Sequence, residues 1–166
     1  MADAYIQVDG VKGSSADHEH KEWIEIRSYT HNLTQPINAE ASGASGRRPK
    51  GRAQFEDFVV FKEQDSASPH LAHLCASGNH VKKIEVELLA AGAAGTNKRN
   101  KYMKFTLEDV YVSAFISRLA DGKERPIEEV HFSFGKVKWT FTPDEKSQAK
   151  APIVKGWDRD TNKDYS

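Results

Sequence analysis

Disulfides, a secretory leader, membrane spans, net charge and catalytic signatures are all missing from this chain of 166 residues. Its one cysteine, Cys75, cannot form an intrachain disulfide, which excludes a disulfide-stapled secreted scaffold. No apolar run approaches the ~20 residues of a membrane helix. The opening MADAYIQVDG has neither a basic segment nor an apolar core, so it does not read as a leader. The 24 Lys and Arg balance the 24 Asp and Glu. No global field therefore draws the protein to nucleic acid or to a membrane surface. There is no G-x-S-x-G, no phosphate-cradling glycine loop before a helix and no H-E-x-x-H, so the common hydrolase and nucleotide-binding signals are absent. Synthesis in the cytoplasm is expected, with any export by a route that ignores leaders.

What remains is aromatic and alternating. Eight Phe, five Tyr and three Trp favour strands. A mean hydropathy of −0.67 is polar for a monomer, yet the length suits a single domain, residues 1–166, with a real core. Period-two patterning predicts strands over Ala4–Val8, Glu22–Leu33, Gln54–Lys62, Val81–Leu89, Tyr102–Ser117 and Ile127–Thr142. In Glu22–Leu33 neither face is purely apolar. Ile24, Ile26, Ser28, Thr30 and Asn32 share one face, so part of this strand is expected to meet water or another chain. The strand Tyr102–Ser117 is expected to be interrupted near Glu108–Asp109. Gly135 stands where the apolar phase of the last long strand changes, as at a bulge or bend. Ala67–Ser77 is the one good helix, with Pro69 in its first turn and Gly78 as its stop. Leu71, Leu74 and Cys75 form its buried face. The tail, residues 144–166, is polar apart from Ile153, Val154 and Trp157. The expected fold is mainly β: an antiparallel β-barrel or sandwich with one α-helix and a long extended loop.

That loop is Pro36–Arg52, PINAEASGASGRRPKGR. Its glycines and prolines suit neither helix nor strand, and a loop this long is usually functional or disordered. It is basic at its end, as is Ala90–Lys101. Tracking phosphates is one use for such clusters, but interleaved aromatics are absent. Another is self-stacking, the basic loops meeting acidic residues on the next subunit (Asp121, Glu124, Glu128, Glu129, Asp144, Glu145). The remaining candidates carry little chemistry. His18 and His20 form an H-x-H pair short of the ligands zinc needs, His70 and His73 lie on the helix, and Cys75 points with the leucines. Adjacent acids such as Glu56–Asp57 face opposite ways on a strand.

The order of motifs is familiar. The opening Ala4–Gly13, the helix ending Ala76–Ser77–Gly78–Asn79–His80, Phe105–Ser113 with its L-x-D-V-x-V-S pattern, Glu128–Phe134, and Gly156–Trp157–Asp158 follow one another at compatible spacing. In this the chain resembles the Hcp family, the hemolysin-coregulated tube proteins of bacterial type VI secretion systems. The resemblance implies a homohexameric ring that stacks into a tube, holds effector cargo in its lumen, meets spike and sheath components, and leaves the bacterial cytoplasm for the extracellular space or a target cell. No catalysis, cofactor, metal, nucleic acid or membrane insertion is expected. On this reading Ser42, Gly43, Ser45, Gly46, Arg47, Arg48, Lys50 and Arg52 form the ring-stacking arm. Ser28 and Thr30 face the lumen and cargo, and Trp157 anchors the tail. The alternative is a monomeric β-barrel module that binds a ligand or nucleic acid.

Overall fold

A computed structural model describes residues 3–37, 50–91, 99–143 and 151–165. In chain order the elements are β1 (Asp3–Val8), β2 (Ile24–Ile26), β3 (Ser28–Thr30), β4 (Leu33–Thr34), β5 (Gln54–Phe55), β6 (Phe58–Glu63), α1 (Ser68–Ser77), β7 (Val81–Ala90), β8 (Asn100–Arg118), β9 (Ile127–Phe141), β10 (Ile153–Asp158) and β11 (Lys163–Asp164). The fold is mainly β and antiparallel with one helix, as the alternation predicts. The main sheet runs β11-β10-β9-β8-β7-β1-β2, while β6 joins β9 to β3.

β9 is the branch point. One edge follows β8 from end to end, and the other is divided between β6 along 127–132 and β10 along 136–141. The sheet therefore curls, and its two ends meet at the β2–β3 step. Strand pairing among the described residues does not close the barrel there. The chain itself crosses the seam at Arg27, whose N–H donates to Phe61 O at 2.7 Å.

The seam corrects the expected single strand over Glu22–Leu33. β2 pairs with β1, β3 pairs with β6, and the inward phase changes at the crossing. Ile24 and Ile26 are buried, but after Arg27 it is Tyr29 that packs on the core, while Ser28 and Thr30 are exposed. Ile24 and Thr30 share a sequence phase and end on opposite sides of the wall.

A second phase change is built in deliberately. β8 buries Phe105 and Leu107, then Val110 and Val112; β9 buries Phe132 and Phe134, then Val137. Both change at the level of Asp109, whose φ is 56°. A Cβ on Gly135 would sit 2.9 Å from Asp109 Oδ2, so any larger residue would make the Asp109 side chain move aside. The interruption expected near Glu108–Asp109 is this kink, without a break in the strand.

The helix begins one residue later than expected, with Pro69 in its first turn, and ends at Gly78, whose N–H donates to Leu74 O. Leu71 is buried, and Leu74 and Cys75 pack against the core. Its start is tied to an ion pair. The wholly buried Lys62 ammonium lies 2.7 Å from Glu128 and 2.9 Å from Asp65. It also donates to Glu63 O and Ser68 Oγ. Lys62 and Glu128 are cross-strand partners of β6 and β9. Glu128 is thus no part of an outer acidic surface, contrary to the grouping expected above.

Candidate functional site

The root of the long loop is a ribbon of its own, the β4–β5 pair, which forms a separate two-stranded sheet. Leu33 pairs with Phe55 and Thr34 with Gln54. An isolated bridge joins Ile37 to Lys50, and Gly51 N–H donates to Pro36 O at 3.0 Å. Asn32 and Glu56 close the base, side chain to side chain at 2.9 Å and backbone to backbone at 3.1 Å. Leu33 and Ile37 remain 45% and 55% exposed. Lys50 stands at the outer end. Ser42, Gly43, Ser45, Gly46, Arg47 and Arg48 lie outside the described residues.

Two devices fix the root to the barrel. On the outside, Arg52 donates to the backbone carbonyls of Arg159 and Asp160. Arg159 in turn lies over the rings of Phe55 and Phe134, 5.3 and 5.1 Å from their centroids, and donates to Phe134 O at 2.6 Å. Arg159 follows β10, where Trp157 is half-buried, pairs with Val137 and Asp164, and packs against the core. The turn after β10 is held by Asp158, which accepts from Thr161 and Asp160 N–H. Those donors hold its carboxyl below the ordinary value. On the inside, Trp139 Nε1–H donates to His31 Nε2 at 2.9 Å, among Phe58, Phe105 and Phe134. Sequence reasoning missed both Arg159 and His31 as root fasteners.

The other basic cluster has a different fate. Arg99 donates to Asp3 Oδ2 at 2.6 Å, to Tyr5 Oη at 3.2 Å and to Asp17; the Tyr5 and Asp3 bonds push its pKa up. Lys101 lies 3.0 Å from Glu87. Beneath them His20 is fully buried, 2.7 Å from Glu87 and 3.0 Å from Asp17, and stacked on Tyr5. Burial opposes the charge on Glu87, but hydrogen bonds from His20 and Lys101 prevail and hold it below the usual carboxylate range. His18, by contrast, is exposed. The H-x-H pair is split between water and core. Among the described residues no three His, Cys, Asp or Glu converge as a metal site. Ser28 and Thr30 lie on the outer face of β3, with Tyr29 between them turned to Phe58 and Phe105.

The model of the family described as "Type VI secretion system effector, Hcp" matches residues 5–141. The chain belongs to the Hcp family. It is 28% identical over 157 residues to "Protein hcp1" of Pseudomonas aeruginosa, covering 93% of each. It is 25% identical over 134 residues to that organism's "Major exported protein", covering 77% of this chain and 74% of the relative. A solved "type six secretion system protein" superposes with a TM-score of 0.88 at 27% identity, covering 99% of this chain and 100% of that one. These make the chain an Hcp-type protein of type VI secretion.

Proposed function

We propose that this Hcp chain is the structural subunit of the secretion tube: identical copies form hexameric rings, rings stack, and the lumen holds effectors before and during export. The observation that carries the reading is the match of the family and of a type VI secretion structure along nearly the whole chain. The exposed ribbon root, with Leu33 and Ile37 bare and cations beyond it, supports a role in joining rings. Ser42, Gly43, Ser45 and Gly46 would allow close approach to the next ring, and Arg47, Arg48 and Lys50 would supply charge there. Arg52 would act from the base, through the tail. Ser28 and Thr30, exposed on a wall strand, would face cargo. Partners are other copies of this chain, secreted effectors, and the spike and sheath; nucleic acid and membrane are not among them. The work is assembly, and the destination is the extracellular space or a target cell.

Light scattering on the protein as it elutes from a sizing column, with negative-stain images of the peak, tests this. Rings with six times the 18.6 kDa mass of the chain are expected. A monomer at micromolar concentration would return the protein to a ligand-binding β-barrel module.

A further inference from the structure

The interior fastener of the root has an unusual chemistry. His31 Nε2 accepts the indole proton of Trp139 at 2.9 Å. The neutral ring must then carry its own proton on Nδ1. That atom is buried and has no hydrogen-bond partner among the described residues. Rings surround the imidazole, centroid to centroid: Phe58 at 5.3 Å, Phe105 at 5.6 Å, and Phe134 and Trp139 each at 6.1 Å. A second proton can enter only at Nε2, the accepting atom. The ring would then oppose a donor with a donor and place a charge among aromatic side chains.

We propose that His31 and Trp139 form a proton-sensitive latch that holds the arm root against the barrel, and that protonation of His31 releases it. His31 directly follows β3, and Leu33 opens β4 two residues later. Displacing the imidazole therefore carries the near strand of the ribbon with it. Burial already pushes His31 below its ordinary value. The docked root is the deprotonated form. Its stability is whole above the ordinary histidine value of about 6.5 and is lost as the pH falls from there towards the lowered value.

The surrounding charges are committed elsewhere. Tyr29 on β3 stacks on Phe58, and burial pushes its hydroxyl up. On β8, Lys104 is turned to Glu85 and Glu87; on β9, Lys138 lies over Tyr165. Asp57, before β6, accepts from Ser113, and Glu56 accepts from Asn32. Arg159 lies over the Phe134 ring, 5.1 Å from its centroid, and donates to Phe134 O. No carboxylate among these compensates a charged His31.

Hydrogen exchange read by mass spectrometry on the full chain tests the latch, whatever its oligomeric state. After correction for intrinsic rates, peptides over residues 28–37 and 50–58 should exchange about tenfold faster near pH 5.5 than near pH 7.5, with α1 unchanged. His31→Gln keeps an acceptor for the indole and does not titrate, so the acid response should vanish. Trp139→Phe removes the donor that the new proton opposes, so the response should shrink. An acid response absent from the natural protein, or identical in His31→Gln, or undiminished in Trp139→Phe, overturns the proposal. Only its consequence for ring stacking rests on the tube reading. Rings that form normally while the latch fails, or the reverse, separate the two.

Discussion

Residues 36–52 and 90–101 are written with nearly one recipe, small residues first and cations last, and the described cations at their ends meet different partners. In the second, the described cations meet carboxylates. Arg99 takes Asp3 and Asp17, and Lys101 takes Glu87. In the first, Lys50 is exposed, and Arg52 meets backbone carbonyls, which orient it without cancelling its charge. A run of Lys and Arg thus says little about partners until the carboxylates within reach are counted. Among the described cations, Arg99 and Lys101 meet carboxylates, whereas Lys50 is exposed and Arg52 is held by carbonyls.

The sharpest form of internal commitment is Lys62, wholly buried against Glu128. Replacing it by Ala leaves an acid in the core without its counter-charge, and a loss of about 3–5 kcal/mol is expected in urea unfolding. The paired change Lys62→Met with Glu128→Leu should recover most of that loss, because apolar residues of similar volume need no counter-charge. If the double variant were as unstable as Lys62→Ala, the ion pair would be more than a matched burial, and the helix start tied to Ser68 and Asp65 would be the reason.

Glu87 sharpens the comparison from the side of the second loop. Glu87→Gln weakens the hold on both His20 and Lys101, with an expected loss of about 1–3 kcal/mol near neutral pH. Because hydrogen bonds hold the carboxyl below its ordinary value of 4.5, its contribution is present above that value and disappears as the pH falls through the lowered one. The natural protein and Glu87→Gln should therefore converge in stability on going from about pH 5 to about pH 3. A constant gap between the two across that range would show that Glu87 acts through shape rather than charge.

The difference between the two loops was not legible in the sequence, although much else was. Alternation reveals the strands of β6 to β9, Pro69 and Gly78 bracket the helix, and Gly135 marks the kink because the phase of its own strand changes there. Register is another matter. Arg99 meets Asp17 across 82 positions, and Lys62 meets Glu128 across 66. Alternation puts Glu128 in phase with the buried Val130 and Phe132 and Glu129 out of phase, but nothing local names Lys62 as the partner that makes a buried acid tolerable. The face of Ser28 and Thr30 could not be read from Ile24 and Ile26, because the crossing at Arg27 belongs to the sheet order and not to the strand.

Arg159 tests how firmly the first loop is rooted. It combines two contacts with ring faces and one hydrogen bond to Phe134 O. Arg159→Ala should cost about 1–2 kcal/mol. Arg159→Lys should recover little, since an ammonium lacks the planar face that spans Phe55 and Phe134. The informative readout is exchange at residues 50–58. Faster exchange there with an unchanged α1 shows that the tail holds the ribbon. A uniform loss across the chain would make Arg159 an ordinary contributor to the core.

The smallest effect per residue is expected at the cations of the first loop, and it decides what they are for. Arg47→Glu, Arg48→Glu and Lys50→Glu, changed together, should leave folding and ring size untouched, because exposed ion pairs are worth about 0–1 kcal/mol each. End-to-end association should fall, and most at low salt, where surface charges reach furthest. Arg52 is best left in place, since its bonds to Arg159 O and Asp160 O belong to the root. The matching change in the second loop is Lys101→Glu. Its cation is already matched by Glu87 at 3.0 Å, so reversal should lower stability without altering association. If the two reversals gave the same outcome in sedimentation at low and high salt, the division between committed and uncommitted charge would not hold, and the arm would have to join rings through Leu33, Ile37 and its small residues instead.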